Sequence, residues 1–267
     1  MESGNNKDRI FPWNDNDAVL EEYKKDNYSV LSRGGKRRQA LIFFSSHALY
    51  YPNTEKAFRE SIVTKNRYEW SKIGKNLFLH ARYSKIIWVR DVYKQWYIKG
   101  INVECDTISK LSKLLMDLTA EYDSVVLCGV SAGGYAACVC GILMGTKVSH
   151  IISISGQMNL IKYCNSKNPL LEEKILLNRN YFDINSLIKE KQSSVKIYYL
   201  YSAYCDEDVE QGEFVNCENV KKIAFNSCRH GSPINKRSYI HLLLMRERSL
   251  DRFAVRHKDR IVKRIYL

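Results

Sequence analysis

The chain has 267 residues, 45% of them hydrophobic and 27% charged, which is the balance of a globular protein and not of a disordered or fibrous one. Four prolines and thirteen glycines exclude a collagen-like or Pro/Gly-rich chain, and eight cysteines are too few for a disulfide scaffold. The net charge of +13 suits an anionic partner such as an acidic glycan, a phosphorylated lipid carrier or a membrane surface. No nucleic-acid motif accompanies the charge, so nucleic acid is not expected, and much of the excess reads as solvated surface.

In chain order, residues 1–39 read as a polar N-terminal extension without the basic start and apolar run of a signal peptide. Residues 40–46 are a continuous apolar run closed by hydroxyls, the pattern of a buried central strand. Residues 85–91 repeat it. Residues 103–122 carry Ile108, Leu111, Leu114, Leu115 and Leu118 at helical spacing. Residues 124–128 read as a third strand, 132–144 as a helix, and 148–154 as a fourth strand. The stretch 125–148, with Lys147 as its one charged residue, is long enough for a membrane span, but its five glycines fit a strand, a sharp turn and a packed helix better. Residues 156–192 are polar and irregular and are expected to form a small cap. Residues 195–204 and 220–225 read as further strands and 236–248 as a closing helix. The domain is therefore placed at 40–248, with 249–267 a basic tail that offers a peripheral contact to a membrane. Strands alternating with helices predict an α/β fold, a mainly parallel central sheet with helices on both faces. Ligands of such sheets lie beyond the carboxyl ends of the strands.

Just there, after the third strand, stands Gly129-Val130-Ser131-Ala132-Gly133, a G-x-S-x-G pattern between an apolar strand and a small-faced helix. A serine on such a strand-to-helix turn projects its hydroxyl from the sheet as a nucleophile; the plainer alternative is a serine that caps the helix. A serine hydroxyl needs a base, ordinarily a histidine oriented by a carboxylate. In the order serine, acid, histidine, His230 is the base expected, in the loop after the last strand. The acid is expected at Asp206, with Asp208 as the alternative, after the strand ending near Tyr204. Asp206 would otherwise cap a helix. Stabilisation of the oxyanion needs two N–H groups, expected from Ala132 and from the loop after the first central strand, at Ser46 or His47, with Ser46 preferred. Tyr93, Trp96 and Tyr97 form an aromatic cluster that fits a sugar platform, an acyl pocket or plain core equally well. No metal or organic cofactor is implied. Cysteines without metal spacing, several inside apolar runs, suit reduced thiols in the cytoplasm.

Taken together, Phe43-Phe44-Ser45, Asp91 followed by Trp96-Tyr97 and Gly100, residues 129–137, Ile154-Ser155-Gly156-Gln157, the acidic stretch 206–208 and His230 resemble the α/β-hydrolase superfamily. More narrowly, they are similar to bacterial hydrolase-like proteins encoded with surface-polysaccharide and glycosylation genes. The glycan O-acetyltransferase of the accessory secretion system is a distant example. Many such relatives carry proline where this chain has Gly156. The resemblance implies a serine esterase or deacetylase acting on an acylated glycan, or an O-acyltransferase to a sugar hydroxyl. A hydrolase-fold protein that binds a glycan or a partner without catalysis is the alternative from another class.

Overall fold

The apolar runs become strands of one sheet in the computed structural model, which describes residues 16–33, 38–161 and 179–263. The strands are β1 (Tyr28–Ser32), β2 (Gln39–Phe44), β3 (Lys85–Val89), β4 (Ser124–Val130), β5 (Val148–Ile154), β6 (Lys196–Ser202), β7 (Val220–Phe225) and β8 (Ile261–Val262). Their spatial order is β1-β3-β2-β4-β5-β6-β7-β8. Among the described strands of the sheet, β1–β3 pair antiparallel and the other neighbours pair parallel. Helices fill the connections: α1 (Asp17–Tyr23), α2 (Glu55–Phe58), α3 (Ser71–Gly74), α4 (Leu77–Arg82), α5 (Ile108–Leu118), α6 (Ala132–Met144), α7 (Ile184–Glu190), α8 (Asp206–Glu213), α9 (Lys236–Leu244) and α10 (Glu247–Arg256).

Strand alternation divides the core between two faces. Ala40, Ile42 and Phe44 of β2 join Leu111, Leu115, Ala136, Ile184 and Leu187 of α5, α6 and α7 on one side. Leu41 and Phe43 join Leu79, Tyr239, Leu242 and Leu250 of α4, α9 and α10 on the other. Helix α5 starts where Thr107 accepts the Lys110 N–H and turns Ile108, Leu111 and Leu115 inward.

Two segments placed outside the domain by sequence belong to the sheet. Within 1–39, β1 extends the sheet antiparallel to β3, and α1 buries Val19 and Tyr23 against Leu49, Tyr50 and Tyr93. Glu22 of α1 accepts from Arg90 at 2.7 Å, both side chains buried; removing one partner of such a pair costs about 3–5 kcal/mol. Within 249–267, α10 buries Leu250 and Ala254, and β8 pairs with β7. The acids of α10, Glu247 and Asp251, turn toward Lys196 at 2.7 and 2.5 Å, so its basic composition describes the outer face alone. The single helix expected over 236–248 is broken at Met245, whose ψ of 141° is extended. Of the expected cap, 162–178 lies outside the described residues, while α7 packs on α6 as part of the core. The stretch 125–148 forms β4, the turn and α6, and no helix among the described residues is long and apolar enough to cross a membrane.

Candidate active site

Ser131 sits between β4 and α6 with φ 52° and ψ −122°, a conformation that a residue with a side chain rarely adopts. Its N–H donates to the Ile154 carbonyl at 2.8 Å, which ties the turn to β5. The flanking glycines are required by close approach. A Cβ on Gly129 would lie 2.2 Å from the Gly133 carbonyl oxygen, and one on Gly133 would lie 2.4 Å from the Phe44 carbonyl oxygen. Small residues thus let α6 press onto the sheet and aim the Ser131 hydroxyl beyond its carboxyl edge.

His230 reaches the same point from the loop after β7. Its Nε2 lies 2.9 Å from Ser131 Oγ, and its Nδ1 lies 2.6 Å from Asp208 Oδ1. The carboxylate beside the imidazole is therefore Asp208, the alternative, and not Asp206. The reason is helical phase. Asp206 opens α8 and is exposed, whereas Asp208 shares the inward face with Gln211 and Gly212. Asp208 is also held by donors: Ser155 Oγ at 2.6 Å and the Ser202 N–H at 3.0 Å both reach Oδ2. Burial disfavours the charged imidazole, but the hydrogen bond to Asp208 and the charges of Glu207 and Asp208 outweigh it, so the His230 pKa is raised. His47 also lines the cleft, but burial and the Lys94 charge pull its pKa down to about 3, so it stays neutral. Cys205, Asp208 and His230 present ligand atoms within 4.8 Å of one another. Asp208 and His230 are already bonded to each other, which makes this trio a poor metal centre.

Of the amides expected to face an oxyanion, the structure engages that of Ser46 and leaves those of Ala132 and of the alternative, His47, open. Ala132 opens α6, and the N–H of a first helical residue has no intrahelical acceptor. The Ser46 N–H, by contrast, donates to the Glu69 carboxylate at 2.5 Å. The next amide, that of His47, begins a short 3₁₀ turn and has no acceptor among the described residues. The aromatic cluster after Asp91 is core. Tyr97 bonds the Ser45 carbonyl at 2.8 Å, and Trp96 donates to Gln157 Oε1 at 3.0 Å. Gln157 in turn places Nε2 3.3 Å from Ser131 Oγ.

Three residues of the site escaped sequence reasoning as participants: Glu69, Lys94 and Gln157. Burial raises the Glu69 pKa, against the hydrogen bond from Ser46. Lys94 is buried with Nζ on the Tyr50 carbonyl and Asn53 Oδ1, and burial pulls its pKa down to about 7. Gln157 follows a hydroxyl-closed apolar strand end, a position that invites inspection. Glu69 and Lys94 lie in loops with no pattern to mark them. The resulting cleft encloses about 1150 Å³ above Ser131 and His230.

No family model and no curated protein matches the chain. Among solved structures, the fluorophosphonate-binding serine hydrolase F of Staphylococcus aureus is similar with TM-score 0.56 and 9% identity, over 82% of this chain and 92% of that one. The capsule O-acetyltransferase of Neisseria meningitidis serogroup A gives TM-score 0.56 and 16% identity, over 86% and 96%. The S-formylglutathione hydrolase of Staphylococcus aureus gives 0.55 and 9%, over 85% and 92%. At such identities the likeness is one of fold. With the parallel sheet, its crossover at β4 and the turn at Ser131, it establishes that this chain has the α/β-hydrolase fold.

Proposed function

We propose that the chain is a serine-dependent acyl-transfer enzyme with Ser131 as nucleophile, His230 as base and Asp208 as the group that orients it. The observation that carries this is the unbroken contact from Ser131 Oγ through His230 to Asp208, 2.9 and 2.6 Å long, on a strained turn. An acid accepting at Nδ1 keeps that nitrogen protonated and leaves Nε2 free to take the serine proton. The Ser131 oxygen then attacks the ester carbonyl, and charge develops on the carbonyl oxygen. The N–H groups of Ala132 and His47 are the donors left open to receive it. His230 returns its proton to the departing alcohol, leaving an acyl-serine. An acceptor hydroxyl, deprotonated by the same imidazole, releases the acyl group and restores the serine.

With water as acceptor the reaction is ester hydrolysis, the deacetylase reading. With a sugar hydroxyl it is O-acyl transfer in surface-polysaccharide assembly, a reading supported by the shared fold of the meningococcal capsule O-acetyltransferase. An acylated glycan suits a cleft of about 1150 Å³ that is open to solvent. The described cysteines are all free thiols, which suits action in a reducing cytoplasm. The test is a fluorophosphonate probe, expected to label the protein and to fail on Ser131→Ala. Absence of labelling on the folded protein refutes catalysis and leaves a binding module. Mass spectrometry of an acyl-ester panel, with and without sugar acceptors, separates hydrolysis from transfer.

A further inference from the structure

We propose that the substrate is held by an anionic group, a phosphate ester or a carboxylate, against Lys72 of α3 and Lys236 of α9. This rests on the acyl-transfer reading of Ser131 and names the chemistry that the cleft selects. Five cationic residues line the cleft, Lys65, Arg67, Lys72, Lys94 and Lys236, against the acids Glu69 and Glu207. Most of these charges are already committed. Glu69 accepts the Ser46 N–H and lies 3.8 Å from Arg67. Glu207 faces Gln157 at 3.5 Å and His230 at 3.9 Å. Lys65 pairs with Glu60 at 3.5 Å, and Lys94 is spent on Tyr50 and Asn53.

Lys72 and Lys236 remain. Both are exposed, and among the described residues neither ammonium has a carboxylate within ion-pair distance. They are not scattered surface charges. Trp70, which precedes α3, packs edge-on against Tyr239 of α9 with ring centroids 5.5 Å apart. That contact ties the residue before α3 to α9, and Lys72, Lys236 and Ser131 all line the same cavity. Two ammonium groups without a carboxylate partner, in a cleft also lined by Trp70, Ile73 and Ile234, favour the entry of an anion. The same cleft offers aromatic area to a sugar ring, with the anion fixing its orientation.

The experiment reads the rate at which a neutral fluorophosphonate labels Ser131 in the presence of glucose, glucuronate, glucose 1-phosphate or inorganic phosphate. Each rate is taken relative to the same protein without additive. Glucuronate and glucose 1-phosphate are expected to slow labelling at least tenfold at saturation, and less so as salt is added, while glucose does not. Their relative strength, with the inorganic phosphate arm, distinguishes carboxylate from phosphate. In Lys72→Ala/Lys236→Ala the protection is expected to weaken at least tenfold, and in Lys65→Ala to persist. Labelling without selective protection by the anionic sugars, or protection that survives the double variant, overturns this proposal and leaves Ser131 as nucleophile. Absence of labelling in the unaltered protein overturns both.

Discussion

Asp208→Asn is the sharpest perturbation of the site because it keeps the number of heavy atoms and exchanges one carboxylate oxygen for an NH₂ group. The carboxylate accepts three hydrogen bonds: His230 Nδ1 at 2.6 Å on one oxygen, and Ser155 Oγ at 2.6 Å and the Ser202 N–H at 3.0 Å on the other. An amide has one acceptor oxygen and one donor group. Two fixed or hydroxyl donors at Oδ2 claim the oxygen, so the amide NH₂ turns to His230. Nδ1 must then accept, the ring proton moves to Nε2, and Nε2 can no longer take the Ser131 proton. A histidine locked in the wrong tautomer costs about 10⁴-fold in turnover, or ~5 kcal/mol of transition-state stabilisation. The substitution Asp206→Asn, at an exposed position, is expected to change turnover by less than about twofold. The assay is ester hydrolysis or fluorophosphonate labelling rate for both variants, with thermal melts to establish folding. Activity of folded Asp208→Asn within about tenfold of the unaltered protein, or a comparable loss in Asp206→Asn, refutes the assignment.

Three further outcomes follow from the same geometry. Ser131→Gly is expected to be more stable than Ser131→Ala by about 1 kcal/mol although both lack the hydroxyl, since φ 52° strains any residue with a Cβ; chemical denaturation checks the order, and the reverse order denies the strain. Gly133→Ala, whose Cβ would meet the Phe44 carbonyl oxygen at 2.4 Å, is expected to destabilise more than Gly141→Ala, whose Cβ would meet the Ile151 Cδ1 methyl at 2.4 Å, because a side-chain end yields and a strand backbone does not; equal melting shifts would contradict this. With the His230 pKa raised above its ordinary 6.5, turnover is expected to rise with pH through a value above 6.5. The stabilisation from its extra proton affinity is full below the unfolded value and is lost as pH rises through the folded one, so activity and that part of stability run in opposite directions. A pH–rate profile with its acid limb at or below 6.5 would exclude this arrangement.

Much of this architecture is legible from residue pattern alone. The central strands are unmistakable because both faces are covered, so their sequences are nearly uninterrupted apolar runs. Helix α6 coincides with the predicted 132–144 because its glycines and alanines have no other use. The edges are harder. Strand β1, on the rim, exposes Val30 and alternates weakly, and β8 is two residues long. Neither has enough buried positions to declare itself. The choice between Asp206 and Asp208 has a marker in the sequence. Asp208, Gln211, Gly212 and Val215 fall at helical spacing and are all buried. Weighing that period above closeness to the strand end favours Asp208.

The loop after β2, to which the proposed reaction assigns one oxyanion donor, shows where residue spacing stops being informative. In this chain the segment after β2 is Ser45-Ser46-His47, without the glycines that usually let a backbone bend toward a reacting oxygen. Its shape is set by side chains brought from elsewhere. The Tyr97 hydroxyl donates to the Ser45 carbonyl at 2.8 Å, the Glu69 N–H donates to Ser45 Oγ at 3.3 Å, and the Glu69 carboxylate takes the Ser46 N–H. Ser46 Oγ then accepts from the Ala48 N–H at 3.0 Å, which folds the chain into the turn that begins at His47. A carboxylate already bonded to the Ser46 amide would repel a developing oxyanion at that amide, so the same contact that shapes the loop moves the open donor one residue along. Glu69 is separated from Ser46 by a stretch of short helices whose packing no local pattern reveals. Which loop amide stays open is therefore a property of tertiary structure, reached by following the hydrogen bond of each loop amide to its acceptor.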